Sequence, residues 1–347
     1  MRKMKTGLIG MLVLLLVALA ACGNSGSSGA GGSVEGESSS EGTSGTGGSG
    51  NSDSGGSKEP IKIGIVASLS GALEAYGNQT LHGFKLGIQY ATDGTNKVNG
   101  HPIKIIAEDG EAKADVGIKQ ATKLLNEDKV DFLVGASSSA VALAIEPLAE
   151  QNKTIMVVEP AVADSITGKG FNKYIFRTAR NSSQDAAAAA AAIAEEGVTI
   201  ATLAPDYAFG HDGVEAFKRE AEKRGAKIIL EEYADPKATD FTANIQKIID
   251  AKPDYLWVTW AGANTPWKQI QDMKVQDKGI KLSTGAPNIA ALKTMKAAVG
   301  MVGFTVYYHK LPDNEVNDWL IEQTKKKYDT VPDLFTPGGM SAAISIV

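Results

Sequence analysis

From Ile61 onward, short aliphatic and β-branched runs alternate with amphipathic or alanine-rich stretches in a steady rhythm. The runs "IKIGIVAS" (61–68), "HPIKIIAED" (101–109), "VDFLVGA" (130–136), "TIMVVEP" (154–160) and "YIFRTA" (174–179) predict buried strands. Between them, "NQTLHGFKLGIQYATD" (78–93), "DVGIKQATKLLNED" (115–128) and "SAVALAIEPLAEQN" (139–152) predict helices. A second block repeats the pattern, with strands over 198–206, 226–234, 254–261, 280–286 and 304–310 and helices over 182–197, 213–225, 240–252, 265–277 and 290–300. Gly197 and Gly225 follow helical stretches as C-terminal caps, Ser182 or Ser183 starts a helix, and Asp240 starts another. Apolar strands alternating with helices imply βαβ units, hence an α/β chain of two lobes with parallel central sheets. A helix over 314–329 and the beginning of another after Asp333 follow. The last pattern stops at Val347 without a cap, and the chain is read as C-terminally truncated.

The N-terminus breaks the rhythm. Arg2, Lys3 and Lys5 precede an apolar run from Leu8 to Ala21, too short for a membrane span and patterned as a signal peptide over 1–21. Cys22 is the only cysteine, which excludes an intramolecular disulfide and a cysteine metal cluster. The tetrad Leu19-Ala20-Ala21-Cys22 resembles the lipobox of bacterial lipoproteins, which implies a diacylglyceryl group on Cys22 and an N-terminal lipid anchor in the bilayer. Residues 22–58, rich in Gly and Ser, predict a flexible tether with a reach of roughly 30 to 35 Å. The remaining ~290 residues suit two lobes, 59–180 plus 314–347 and 181–313. A net charge of −5 without a basic stripe in the folded part argues against nucleic-acid binding.

Ligands of open parallel α/β sheets lie at the carboxyl ends of strands, where loops and helix N-termini present backbone N–H groups. Four such ends carry suggestive side chains: "SLSGALEAYGNQ" (68–79), "VGASSSAV" (134–141), "VEPAVADSIT" (158–167) and "APDYAFGHDG" (204–213). Tyr76 either covers a ligand or packs over a helix start. Of Ser137, Ser138 and Ser139, one hydroxyl is expected to cap the following helix, worth about 1 kcal/mol. The others, beside free N–H groups and the positive end of the helix dipole, suit an anionic or polar ligand group. A nucleophilic serine needs a base and usually a G-x-S-x-G turn; here the second glycine is missing. None of His82, His101, His211 and His309 forms a motif with a carboxylate. With no G-x-G-x-x-G after the first strand, no Walker A sequence and no H-E-x-x-H spacing, the reading is a binder without catalytic residues, cofactor or metal. In "YLWVTWAGANTPW", alternation puts Tyr255, Trp257 and Thr259 on one face and Leu256, Val258 and Trp260 on the other. Trp260, last in its strand, is placed on a cleft, whereas Trp257 and Trp267 read as packing residues.

At these turns the chain resembles the substrate-binding lipoproteins of branched-chain amino acid ABC transporters, which have the type I periplasmic-binding fold. The resemblance covers 60–347 and rests on "IKIGIVASLSGALEAYG", "VDFLVGASSSAVALA", "YIFRTARNSSQDA", "PDYAFG" and "DFTANIQKI". It implies two doubly wound lobes joined by a hinge of three crossover strands, closing on a small ligand. It implies that Tyr76 covers the ligand, that Ser138 with Ser137 and Ser139 binds its carboxylate, and that Ala161 and Ala163 contribute contacts from their loop. The chain departs from that pattern in three places: Ala163 replaces a common Thr, Phe209 replaces a common Tyr, and Pro287 and Asn288 stand where the acidic partner of a ligand ammonium would fall. A carboxylate, an amide or an aromatic acid stacked on Tyr76, Phe209 or Trp260 therefore joins amino acids as a ligand class. The implied function is capture of such a small molecule outside the cytoplasm by a monomer that delivers it to an ABC permease in the membrane. The alternative is a sensory protein that presents its closed form to a membrane receptor.

Overall fold

The computed structural model describes residues 58–295 and 300–347. The apolar leader, Cys22 and all of the tether before Lys58 lie outside the described residues. The first sheet contains β1 (Ile61–Ala67), β2 (Lys97–Val98), β3 (His101–Asp109), β4 (Phe132–Gly135), β5 (Ile155–Val158) and β6 (Ile175–Arg177), in the order β2-β3-β1-β4-β5-β6. All neighbours are parallel except β2, which pairs antiparallel with β3. Its helices are α1 (Glu74–Ala91), α2 (Ala114–Asn126) and α3 (Ser139–Asn152). The second lobe carries α4 (Ser182–Ile193), β7 (Thr199–Pro205), α5 (Ala208–Glu222), β8 (Lys227–Ala234), α6 (Thr242–Ala251), β9 (Tyr255–Val258), α7 (Trp267–Asp272), β10 (Lys281–Thr284), α8 (Ile289–Thr294) and β11 (Val302–Gly303). Its sheet is wholly parallel, in the order β11-β10-β9-β7-β8. Two last helices, α9 (Glu315–Tyr328) and α10 (Thr336–Ile346), return to the first lobe, where α10 lies along α1.

Each strand is apolar throughout because each sheet is covered on both faces. On β1, Ile63, Ile65 and Ala67 pack with α1 and α10, while Val66 joins the core beneath α2 and α3. The second sheet divides the same way: Ile200, Ala204 and Trp257 face α4 and α5, and Leu203, Leu256 and Val258 face α6 and α7. The alternation expected across Trp257 and Trp260 is the one found, with Trp260 packed on the Leu256 and Val258 side.

Some expectations fail for identifiable reasons. No strand forms over 304–310, because β11 ends at Gly303 and the segment is pinned to α9 instead. Tyr307 donates its hydroxyl to Asn317 Oδ1 at 2.6 Å, and Asn317 Nδ2 donates to the carbonyls of His309 and Pro312, each at 2.9 Å. The helix expected over 265–277 stops at Asp272, where Lys274 takes a φ of 53° and a short 3₁₀ turn follows. Helix α4 does start at Ser182, as expected, and Asn181 before it is the cap, in a full capping box with Gln184.

Candidate ligand-binding cleft

Carboxyl ends of strands from both sheets converge on a cleft with a cavity of about 60 Å³. The first lobe contributes Tyr76, Ser137, Ser139, Ala161 and Phe335; the second contributes Tyr207, Phe209, Trp257, Trp260 and Phe304. Arg180, Ser182 and Asp185 line it from the chain crossing and the first turn of α4.

The serine loop begins where β4 ends. Gly135 takes a φ of 138°, and a Cβ there would lie 2.3 Å from the Val66 carbonyl oxygen, so only glycine lets the loop pass so close to β1. The three hydroxyls then diverge. Ser137 Oγ accepts the Ser68 N–H at 3.0 Å, and Ser139 Oγ accepts the Ala163 N–H at 3.2 Å. Each oxygen is held by a buried main-chain donor, which leaves its own proton to donate into the cleft. The expected side-chain cap is absent: Ser138 occupies the N-cap position of α3 without capping it. Ser138 faces a neighbouring pocket of about 340 Å³ at the cleft mouth, next to Leu73, Tyr207 and Ala261. Of the residues singled out in the sequence, Tyr76, Ser137, Ser139, Ala161, Phe209 and Trp260 thus meet at one cavity, and Ser138 and Ala163 do not line it. Ala163 is fully buried, with its N–H spent on Ser139 and its carbonyl accepting from Arg177 Nη2 at 2.7 Å.

The walls are aromatic. Tyr76 lies against Phe335 with ring centroids 4.4 Å apart, and Trp260 meets Phe241 edge-on at 5.1 Å. Burial raises the pKa of the Tyr76 hydroxyl, while a hydrogen bond with the Gly262 backbone and the charge of Arg180 pull it back. Burial raises Tyr207 as well, reinforced by Tyr76, so both phenols stay neutral. Trp257 does both jobs: it stacks on Phe217 at 4.0 Å, and its edge reaches the cleft. Its indole N–H is buried without a partner among the described residues.

The charged groups of the cleft were not singled out in the sequence. Arg180 Nε donates to Asp185 Oδ1 at 2.9 Å, and the guanidinium sits 5.7 Å from the centroid of Phe335. Burial raises the Asp185 carboxyl, and the Arg180 charge opposes that shift. The available signal was a single acid in the otherwise uncharged helix "SSQDAAAAAAAI", which reads equally as a complement to the helix dipole. Asn288, at the position expected to hold an acid, instead caps α8 by accepting the Ala291 N–H at 2.7 Å.

No histidine or carboxylate is hydrogen-bonded to Ser137, Ser138 or Ser139 among the described residues, so no serine there has the base a nucleophile needs. His211 does pair with Asp206 at 2.7 Å, a contact that no sequence motif signals, but both side chains are exposed and neither lines the cleft. Across the seam, Ser165 N–H donates to Asp212 Oδ2 at 2.7 Å, and Ser183 N–H donates to Asp164 Oδ1 at 3.0 Å. With the Tyr76 to Gly262 contact, these bonds join the two lobes.

Residues 60–347 match a family described as periplasmic binding protein. The chain belongs to that family. It is 28% identical over 202 residues to the Leu/Ile/Val-binding protein BraC3 of Rhizobium johnstonii, a match covering 57% of this chain and 53% of the relative. The chain thus spans about half the length of the first curated relatives it matches. Among solved structures, an ABC-type branched-chain amino acid transporter from Rhodopseudomonas palustris superposes with a TM-score of 0.68 at 48% identity, covering 82% of this chain and 78% of the other. A solute-binding protein of an ABC transporter from Rhodopseudomonas palustris BisB5, solved with 3,4-dihydroxybenzoic acid, gives a TM-score of 0.70 at 28% identity over the same shares. Family and fold are those of binding proteins rather than enzymes.

Proposed function

We propose that the protein is an extracytoplasmic solute-binding lipoprotein of an ABC importer, which captures a small amino-acid-like, amide or carboxylate ligand between its lobes. The observation that carries this reading is the pair of hydroxyls, Ser137 and Ser139, each locked by a main-chain N–H and free to donate at the N-terminus of α3. Such a site suits a carboxylate or carbonyl oxygen, with aromatic walls for an apolar remainder. A cavity of about 60 Å³ is less than half the ~150 Å³ that benzene fills in an apolar core, so any ligand of that size enters only when the lobes part. The lobes, 59–180 with 314–347 and 181–313, then move by the hinge closure known for periplasmic binding proteins.

Melting the protein with and without a panel of amino acids, amides, aliphatic acids and benzoates tests the reading: at least one class raises the midpoint, and none doing so refutes it. Against the compound that binds, Ser137→Ala and Ser139→Ala should each weaken affinity about tenfold in titration calorimetry, the loss of one hydrogen bond to a charged group. Each should also lower the melting point without ligand, since the Ser68 or Ala163 N–H is left buried and unpaired.

The anchoring part of the reading rests on Cys22. In cells of a lipoprotein-processing bacterium, Cys22→Ala should move the protein from the membrane pellet to the soluble fraction and abolish fatty-acid labelling. Retention of the variant in the pellet would remove the anchor.

A further inference from the structure

We propose that Arg177 is a positioning residue of the cleft: by pinning the loop from Val162 to Thr167, it makes the orientation of the Ser139 hydroxyl depend on how the second lobe is seated. The inference rests on the solute-binding reading and deepens it. Arg177 ends β6, immediately before the chain crosses between the lobes, and does not line the cavity itself. Its Nη2 donates to the Ala163 carbonyl at 2.7 Å and to Thr167 Oγ1 at 3.0 Å, while Nη1 reaches the Arg180 carbonyl at 3.5 Å. One guanidinium thus ties the loop to the crossing segment, a span that a planar fork covers and a single ammonium nitrogen does not. Asp164, Glu146, Asp212 and Glu159 surround it from the loop itself, from α3, from α5 and from the end of β5, and their charges oppose the lowering of its pKa by burial.

The loop joins that guanidinium to both lobes. On the side of the first lobe, the Ala163 N–H donates to Ser139 Oγ at 3.2 Å, which fixes the oxygen of a hydroxyl on the cavity wall. From the second lobe, the Ser182 N–H and hydroxyl donate to the Val162 carbonyl at 2.8 and 3.1 Å, and Ser183 donates to the Asp164 carboxylate. Asp212 on α5 accepts the Ser165 N–H at 2.7 Å. Val162, Ala163, Asp164 and Ser165 are therefore bonded to α4, α3, α4 and α5 in turn. Consecutive residues cannot move independently, so parting the α4 and α5 contacts turns the Ala163 N–H away from Ser139. Arg177 holds the other side of the same loop and keeps it in one piece as the second lobe arrives or leaves.

Amide hydrogen exchange, followed by NMR on protein labelled at its alanine nitrogens, reads the Ala163 N–H directly. The variants are Arg177→Lys and Asp212→Ala, the second of which removes a second-lobe partner of Ser165 and lies outside the cavity lining. In both, the Ala163 amide should exchange roughly tenfold faster, while the Ala342 amide of the α1 and α10 core stays within about twofold of wild type. An Ala163 rate unchanged in both variants would overturn the proposal. So would an equal acceleration at Ala342, which would make Arg177 and Asp212 general stabilisers. Should Arg177→Lys not fold, Asp212→Ala alone reads the dependence on the second lobe. Titration calorimetry with L-leucine and benzoate separates the proposal from the reading beneath it. Whichever compound binds the wild type should bind Asp212→Ala roughly tenfold more weakly, and equal affinity would overturn the proposal while leaving solute binding intact. Binding of neither compound counts against the solute-binding reading, and the exchange rates still decide the proposal.

Discussion

Replacing Gly83 with alanine should destabilise the protein by about 3 kcal/mol or more, although alanine is the better helix former by about 1 kcal/mol. Gly83 lies inside α1 where α10 crosses it. A Cβ at that position would stand 1.8 Å from the Thr336 carbonyl oxygen and 3.1 Å from the Met340 nitrogen. These are backbone atoms and cannot rotate away, so the helices must separate. Separation withdraws Ala342 and Ala343 from Leu81, Phe84 and Ile88, and Met340 from Leu86. Gly213→Ala, inside α5, is the control: its Cβ would meet nothing nearer than Thr259 Cγ2 at 3.8 Å. That variant should unfold at the wild-type urea concentration or gain up to about 1 kcal/mol. Equal midpoints for Gly83→Ala and wild type would mean that α1 and α10 are not in contact as described.

The same seam shows what the sequence could and could not convey. Helix α3 is legible from Ser139 to Asn152 because its signals are local: a glycine and serines before it and then an alanine-rich helical run. The two-lobed parallel architecture follows from strands apolar on both faces, a property of each strand alone. The hydroxyl assignments were out of reach, because the groups that hold Ser137 and Ser139 come from 69 residues earlier and 24 residues later. A run of three serines before a helix suggests a cap, yet two of them are drawn to neighbouring loops and the third faces the cleft mouth.

Arg180 and Asp185 illustrate a different limit. Each has an unremarkable local explanation, and their meaning depends on the crossing of the chain between lobes, which pairs them and brings Arg180 against Phe335 from the far end of the sequence. The segment after Gly303 fails for the converse reason. "FTVYYHK" has strand-forming residues, but the Tyr307 hydroxyl finds Asn317 on α9, and that tertiary bond outweighs a weak edge pairing.

Glu159→Gln should gain on the wild type by about 2 kcal/mol as pH rises from roughly 5 to 8, with the two nearly equal at the acid end. Glu159 sits behind the cleft, 3% exposed, immediately before the Pro160 and Ala161 that line it. Burial pushes its carboxyl up from 4.5 to about 7, opposed by Arg180, by a hydrogen bond from the Thr178 hydroxyl and by Arg177. Between those values the folded chain holds a proton that the unfolded chain has already released, so stability falls with pH across the interval and levels off above it. Glutamine carries no such proton and escapes the loss. Burial also lowers His82 and His309, which makes stability rise with pH below 6.5, but both variants share that contribution and it cancels in the difference. Glu146 on α3, with Oε1 unpartnered among the described residues and its carboxyl pushed by burial to about 8 against the pull of Arg177, should show the same sign in Glu146→Gln. Its gain should continue above pH 7, where that of Glu159→Gln has levelled off. Urea midpoints of the three proteins at pH 5, 6.5 and 8 separate the two carboxyls, and a wild type that loses nothing relative to either variant on going to pH 8 would mean that both are ionised at little cost.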